Sequence, residues 1–194
     1  LDVNTSGILL AGKSLYGSQE LSRMLKCRSM EKHYLALVQG VVHESSVVKA
    51  YLMKDPGTNR VTVYDTSDAY NSRKVSPIET EYTPLFTSDK FTLLRVKLIT
   101  GKTHQIRAHL SFLGYPIIGD AKYGNPEINR EFRKRYQIQN QCLHAWKVVF
   151  PPAESGRHLK SMGETYEAPL PRKFDHVLRI LFPEDYKGKR LGED

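Results

Sequence analysis

The segment Lys32–Val42 constrains the fold more than any other stretch of the chain. Tyr34, Leu35, Leu37, Val38, Val41 and Val42 put large apolar side chains on both pleat positions, which predicts a strand buried on both faces. Val47–Tyr51, Val61–Asp65 and Ile78–Phe86 then read as a β meander, with Asp55-Pro56-Gly57 and Asn71-Ser72 as turns. Phe91–Ile99 alternates cleanly, and Thr92, Leu94, Val96 and Leu98 are its expected buried face, opposite Phe91, Leu93, Arg95, Lys97 and Ile99.

Helical periodicity fills the gaps between these strands. Ser14 is placed to cap a short amphipathic helix to Lys26, with Leu21, Met24 and Leu25 on one face. Pro126–Tyr136 carries the stripe Ile128, Phe132 and Tyr136, and a last helix is expected from about Arg172 to Leu181. Gln141–Phe150 returns as a strand with Cys142, His144 and Trp146 on alternate positions, followed by a short strand near Tyr166–Ala168. The tail Lys187-Gly188-Lys189-Arg190 is expected to fray. No repeat, low-complexity tract or linker divides the 194 residues, which fit one domain.

Charge and cysteine content narrow the partners. A net charge of +8 biases the surface toward polyanions, although basicity alone discriminates poorly. No apolar run approaches the ~18 residues that span a bilayer, and no signal-peptide pattern opens the chain. The two cysteines, Cys27 and Cys142, are far apart and lack CxxC spacing, which argues against a disulfide framework or zinc site and for a reducing cytoplasm. The chain opens in mid-pattern without Met, so an N-terminal part is expected ahead of it.

Two stretches carry candidate chemistry. Leu1-Asp2-Val3-Asn4-Thr5-Ser6-Gly7 sets one carboxylate among turn formers, ahead of a strand-like run, Ile8–Ala11. Asp2 is then either a turn residue bonded to its own backbone or a carboxylate displayed at a sheet edge. Thr100–Leu110 is a strand–turn–helix unit. Thr103 is positioned to cap a helix running to about Leu113, with Gly114 at its end and Pro116 beyond. Ile106, Leu110 and Leu113 form its apolar stripe, and His104, Arg107 and Ser111 lie opposite. Thr103, His104 and Gln105 are all hydrogen-bond formers beside Arg107, a composition suited to a polar pocket wall. His104 and His109 are five apart, about 140° around a helix, unlike the i, i+4 spacing of zinc helices, and no metal site is expected. Neither a nucleophile elbow nor a Gly-rich phosphate loop is present. Tyr34 reads as a core tyrosine whose hydroxyl finds a partner.

Five motifs in order, L-D-V-N-T-S-G-I-L-L-A, K-H-Y-L-A-L-V-Q-G, L-I-T-G-K-T-H-Q-I-R-A-H-L, G-Y-P-I-I-G-D-A-K-Y-G and L-H-A-W, resemble the RluA-type pseudouridine synthases from Leu1 to about Pro171. The fold this implies is α+β: a single catalytic domain, residues 1–194, with a mixed, mainly antiparallel central β-sheet flanked by helices and loops. The resemblance implies that Asp2 is the catalytic aspartate, that Tyr34 stacks on the target base and acts as a base at carbon 5, and that Arg107 pairs with the carboxylate. Lys102, Thr103, His104 and Gln105 are the implied substrate-binding residues. Lys102 departs from the family's usual Arg, keeping the charge and losing the bidentate fork. The Arg that precedes the Leu-Asp pair in the family lies outside this chain, and in many members the N-terminal part ahead of it is a small S4-like RNA-binding domain.

The implied reaction isomerises uridine in structured RNA, with large-subunit ribosomal RNA as the leading substrate and tRNA or mRNA as alternatives. It is redox-neutral, so neither a metal nor an organic cofactor is expected, and the protein is expected to be a monomer. The competing expectation is a non-catalytic RNA-binding or ribosome-assembly protein on the same scaffold. Phosphate contacts are expected from Lys26, Arg28, Lys54, Arg60, Arg73, Lys74 and the basic face of Arg130–Arg135.

Overall fold

The computed structural model describes residues 1–65, 75–153, 159–186 and 191. Arg73, Lys74, the Asn71-Ser72 turn and the Lys187–Arg190 tail lie outside the described residues. The elements are β1 (Ser6–Gly7), α1 (Leu15–Cys27), β2 (Glu31–Gln39), β3 (Ser46–Asp55), β4 (Arg60–Tyr64), β5 (Val75–Thr87), β6 (Phe91–Leu98), α2 (Gln105–Phe112), α3 (Pro126–Tyr136), β7 (Leu143–Val149), β8 (Thr165–Glu167) and α4 (Arg172–Leu181). The strands form one 8-stranded sheet in the order β1-β7-β2-β6-β5-β3-β4, with β8 on β7. Among the described residues only the β1–β7 pair is parallel, so the sheet is mixed and mainly antiparallel as expected.

β2 is the centre of the core. Leu35, Ala36, Leu37 and Val38 are fully buried because both faces of the strand are covered. Leu35 and Leu37 meet α3 and α4 through Phe132, Phe174 and Leu178, while Ala36 and Val38 meet α2 through Ile106 and Leu110. The strand ends earlier than the Lys32–Val42 pattern suggests. Gly40 turns the chain at φ 106°, and Val42 packs from the following loop. β6 is likewise two-faced: Leu93, assigned from alternation to the outer side, is as buried as Leu94, because α3 and α4 cover that end of the strand. Arg95 and Lys97, further along, emerge at the surface side.

Helix ends follow local chemistry in two places and depart from it in a third. The Ser14 hydroxyl accepts from Gly17 N at 3.0 Å and starts α1, and Asn125 caps α3 with Pro126 at its first position. On α1, Met24 is fully buried and Leu25 stays exposed, so the apolar face is narrower than periodicity suggests. At α2 the cap is His104, left-handed at φ 52°, and Thr103 makes no cap bond. Among the described residues no helix is long and apolar enough to cross a membrane.

Candidate active site

The expected strand Ile8–Ala11 is instead the two-residue β1, and its brevity explains how the Asp2 loop is held. Ser6 and Gly7 pair with His144 and Ala145 of β7, and Ile8 N donates to the Ala145 carbonyl at 2.9 Å. Gly7 sits at φ 110°, and a Cβ there would overlap the Ala145 carbonyl, so only glycine lets the two backbones approach. Beyond it the chain leaves the sheet, with Ile8 and Leu10 packing toward Met24 and Val148 and Leu9 exposed.

Side chains complete the anchor. The Gln141 amide donates to the Val3 carbonyl at 2.8 Å and to the Thr5 hydroxyl at 3.2 Å. His144, almost fully buried, places Nε2 at 3.2 Å from the Ala168 carbonyl, which can only accept, so Nδ1 accepts from the Ser6 hydroxyl at 2.8 Å. Burial holds this imidazole below the usual histidine pKa, consistent with a neutral ring. The L-H-A-W stretch thus supplies the clamp for the N-T-S-G loop.

Asp2 and Arg107 meet. Arg107 Nη1 lies 3.2 Å from Asp2 Oδ2, the one hydrogen bond to the Asp2 carboxylate among the described residues. Arg107, opposite the apolar stripe as placed from sequence, is not on an open face: the residue is 6% exposed, because the 120–123 loop covers that face of α2. Its stronger partner is Asp120, completely buried, which accepts from Nε at 2.7 Å and from Nη2 at 2.8 Å. Asp120 Oδ1 also accepts from the backbone N–H groups of Lys122 at 2.8 Å and Tyr123 at 3.1 Å. Burial alone would raise the Asp120 pKa, and the Arg107 bonds outweigh it and hold the carboxyl below its ordinary value. Burial works equally against the Arg107 charge, and Asp120 and then Asp2 more than offset it. The forked grip by Asp120 fixes the guanidinium plane and leaves one N–H edge for Asp2.

Sequence reasoning missed Asp120 and Tyr123. Both stand in G-Y-P-I-I-G-D-A-K-Y-G, where an Asp before Ala-Lys looks like an ordinary turn residue. The Tyr123 ring carries the Arg107 guanidinium on one contact at 5.3 Å and Arg60 on another at 5.7 Å. Its hydroxyl accepts from Val61 N at 3.0 Å and lies 2.9 Å from His104 Nδ1. Arg60 itself donates to the Lys122 carbonyl, so this cation braces the loop.

Tyr34 shares a cleft with Asp2. About 350 Å³ in volume, it is lined by Asp2, Thr5, Tyr34, Gly101, Lys102 and Thr103, with Leu98, Ile106 and Leu143 as its apolar floor. That is the size of a small-ligand pocket. The Tyr34 hydroxyl receives no hydrogen bond from any described residue, contrary to the core-tyrosine expectation. Burial, then the Asp2 charge, push its pKa up to about 12.

Of the implied binding residues, Lys102 and Thr103 are exposed on the cleft wall, Gln105 lines the cleft as a buried residue, and His104 is turned away from it. His104 is absorbed by Tyr123 and does not line the cleft. Gln105 accepts from Thr100 Oγ1 at 2.9 Å and Lys102 N at 3.1 Å, and donates to the Glu79 carbonyl and Thr80 Oγ1, each at 3.1 Å. All its amide capacity is spent riveting the 100–102 loop to β5. Among the described residues no cluster of three or more His, Cys, Asp or Glu could hold a metal ion.

Solved structures define the class of fold. A human RNA pseudouridylate synthase domain containing 4 protein superposes at TM-score 0.66 with 21% identity, covering 87% of this chain and 68% of its own. The human domain containing 1 protein does so at 0.62 with 22% identity, covering 88% and 66%. The family model for RNA pseudouridylate synthase matches residues 1–112, and the chain belongs to that family. Among curated relatives, ribosomal large subunit pseudouridine synthase D of Nitrosomonas europaea is 34% identical over 183 residues, 93% of this chain and 49% of the relative. Ribosomal large subunit pseudouridine synthase C of Pasteurella multocida is 31% identical over 182 residues, 93% of this chain and 52% of the relative. The chain spans about half the length of the curated relatives it matches.

Proposed function

We propose that residues 1–194 act as one catalytic domain that converts uridine in structured RNA to pseudouridine, with Asp2, Tyr34 and Arg107 at the reacting nucleotide. The observation that carries this reading is the Asp2 carboxylate held at one oxygen by Arg107, its Oδ1 unbonded among the described residues, in the cleft that Tyr34 lines. The target base must leave its stack, at a cost of a few kcal/mol, which phosphate contacts offset.

Asp2 then breaks the N-glycosidic bond, either by attacking the ribose or by taking its 2′ proton. Either route uses an anion, and Arg107 keeps that charge tolerable and aimed in a partly buried site. The freed uracil turns and its carbon 5 bonds to the anomeric carbon. That displaces Asp2 in the first route and is matched by return of the 2′ proton in the second. Carbon 5 then loses its proton, and the nitrogen that left the ribose gains one. A phenol with its pKa pushed up to about 12 remains protonated at neutral pH, so Tyr34 works through its ring face and hydroxyl, not as a standing phenolate. Lys102 and Thr103 bind the nucleotide at the wall, and His104 and Gln105 hold that wall in place. The printed names of the relatives favour large-subunit ribosomal RNA over tRNA, and action as a monomer in the cytoplasm is part of the same proposal.

The test is Asp2→Asn, which keeps the size of the side chain. Tritium release from 5-³H-uridine RNA should vanish while RNA affinity stays within about threefold of wild type. Wild-type turnover in Asp2→Asn would refute the assignment, and a wild-type protein that binds RNA without turnover would favour the non-catalytic scaffold.

A further inference from the structure

The cations on the two faces of β2 are treated differently. On one face Lys97 meets Glu31 at 2.6 Å, His33 meets the same carboxylate at 3.0 Å, and Lys147 meets Glu167 at 3.1 Å. Lys97, His33, Lys147 and Glu167 lie in one row across four strands, since His33 is opposite both Lys97 and Lys147, and Lys147 is opposite Glu167. The other face carries Lys32, two residues before Tyr34 and therefore on the same side of the strand. Lys32 is half-buried, and among the described residues no carboxylate or hydrogen-bond acceptor meets its ammonium.

That ammonium lies against the outer side of the cleft wall, at Gly101, although Lys32 does not itself line the cleft. A Cβ built on Gly101, a residue of the cleft wall, would lie 3.8 Å from Lys32 Nζ. Arg28, exposed at the left-handed cap of α1, adds a second positive charge from above, and Lys102 a third from the wall. Burial and then Arg28 hold the Lys32 pKa below the ordinary lysine value, as for a cation missing its anion. Gly101 brings a side-chain-free stretch of backbone alongside. An uncompensated, partly desolvated ammonium is costly unless an anion arrives with the ligand.

We propose that Lys32, with Arg28 and the Gly101–Lys102 loop, is a phosphate subsite that grips the RNA backbone next to the nucleotide held over Tyr34. This deepens the function proposed above and rests on it for the identity of the RNA. Lys32 gives the point charge, Gly101 the close approach, and Tyr34 fixes the base at a set distance along the same strand face. The phosphodiester keeps its bonds throughout, and the subsite acts in binding.

The experiment measures the affinity of a fluorescent uridine-containing RNA hairpin by anisotropy in KCl between ~50 and ~200 mM, on the full chain. Lys32→Met keeps the half-buried stem and removes the charge, and Lys32→Arg restores it. Lys97→Gln on the opposite face is the matched loss of charge. Lys32→Met should weaken binding roughly tenfold at low salt and lower the slope of log K against log salt by about 0.7–0.9, with recovery in Lys32→Arg and no change of slope in Lys97→Gln. In turnover assays the Lys32→Met loss should fall on KM, with kcat within about twofold. An unchanged slope in Lys32→Met, or an equal fall in Lys97→Gln, overturns the subsite, as does a wild-type protein that binds no RNA. A wild-type protein that binds RNA with the predicted slopes but forms no pseudouridine refutes the activity and leaves the subsite standing.

Discussion

Replacing Asp120 with Asn changes one atom's chemistry at the point where the site meets the core. Three donors converge on Oδ1: Arg107 Nη2 at 2.8 Å, Lys122 N at 2.8 Å and Tyr123 N at 3.1 Å. Oδ2 takes Arg107 Nε alone, at 2.7 Å. An Asn side chain keeps the most bonds with its oxygen at the Oδ1 position, which turns its NH2 against the Arg107 Nε–H. One charge-assisted bond becomes a donor–donor contact, and the buried guanidinium loses its main counter-charge. Breaking a buried pair from one side costs about 3–5 kcal/mol, several times a typical surface ion pair. Asp120→Asn should therefore lower unfolding stability by about that amount in urea. The exposed pair Arg135–Glu131, at 3.0 Å, is the internal control, and Glu131→Gln should shift stability by less than ~1 kcal/mol. Arg107, no longer gripped, should misalign Asp2 and cut kcat roughly 100-fold in the tritium-release assay, with a smaller change in KM. Stability within ~1 kcal/mol of wild type together with full turnover would show that the Asp120 fork neither supports the fold nor aims Arg107.

Gly7→Ala puts a methyl group against the Ala145 carbonyl at a backbone angle of φ 110°, so β1 must leave β7. It should cost more than ~2 kcal/mol in urea unfolding and abolish turnover, and a change under ~0.5 kcal/mol would contradict the close-approach argument. His109 is fully buried, and burial holds its pKa down to about 4, so the fold contains the neutral ring. An unfolded histidine titrates near ~6.5, so this contribution is complete above that pH and is lost as pH falls toward 4, about 3 kcal/mol in all. His109→Asn should flatten the dependence of unfolding free energy on pH in that window by up to about one proton, and an unchanged slope would place the acid sensitivity elsewhere. Burial pushes His33, His104 and His144 in the same direction, so some acid slope should survive the substitution.

The strands and α3 were readable because hydrophobic periodicity and turn chemistry are local. Phe132 and Leu35 announce their burial by spacing alone. Leu93 does not, since alternation can report one covered face and the cover from α3 and α4 comes from distant sequence. Arg107 was legible as part of a polar wall, but its burial depends on a loop thirteen residues further on. Asp120 carried no local sign of its role, because a turn Asp and a buried counter-ion have the same neighbours in sequence. Gln105 was legible as a residue of the cleft wall, and what its sequence neighbours did not show is that its amide is also the rivet between the 100–102 loop and β5. His144 showed only that it alternates with Cys142 and Trp146, and its hold on Ser6 comes from a contact 138 residues away.

That last separation sets an order of events during synthesis. The loop bearing Asp2 precedes most of the chain in sequence, yet its clamps at Gln141, His144 and Ala145 are made much later. At ~5–20 residues per second, the nascent chain carries the loop for about 7 to 28 seconds before a partner strand emerges. Long-range pairings of this kind form late in folding. The growing protein therefore has a core under construction around β2 while its carboxylate has no fixed position, and competence arrives with β7.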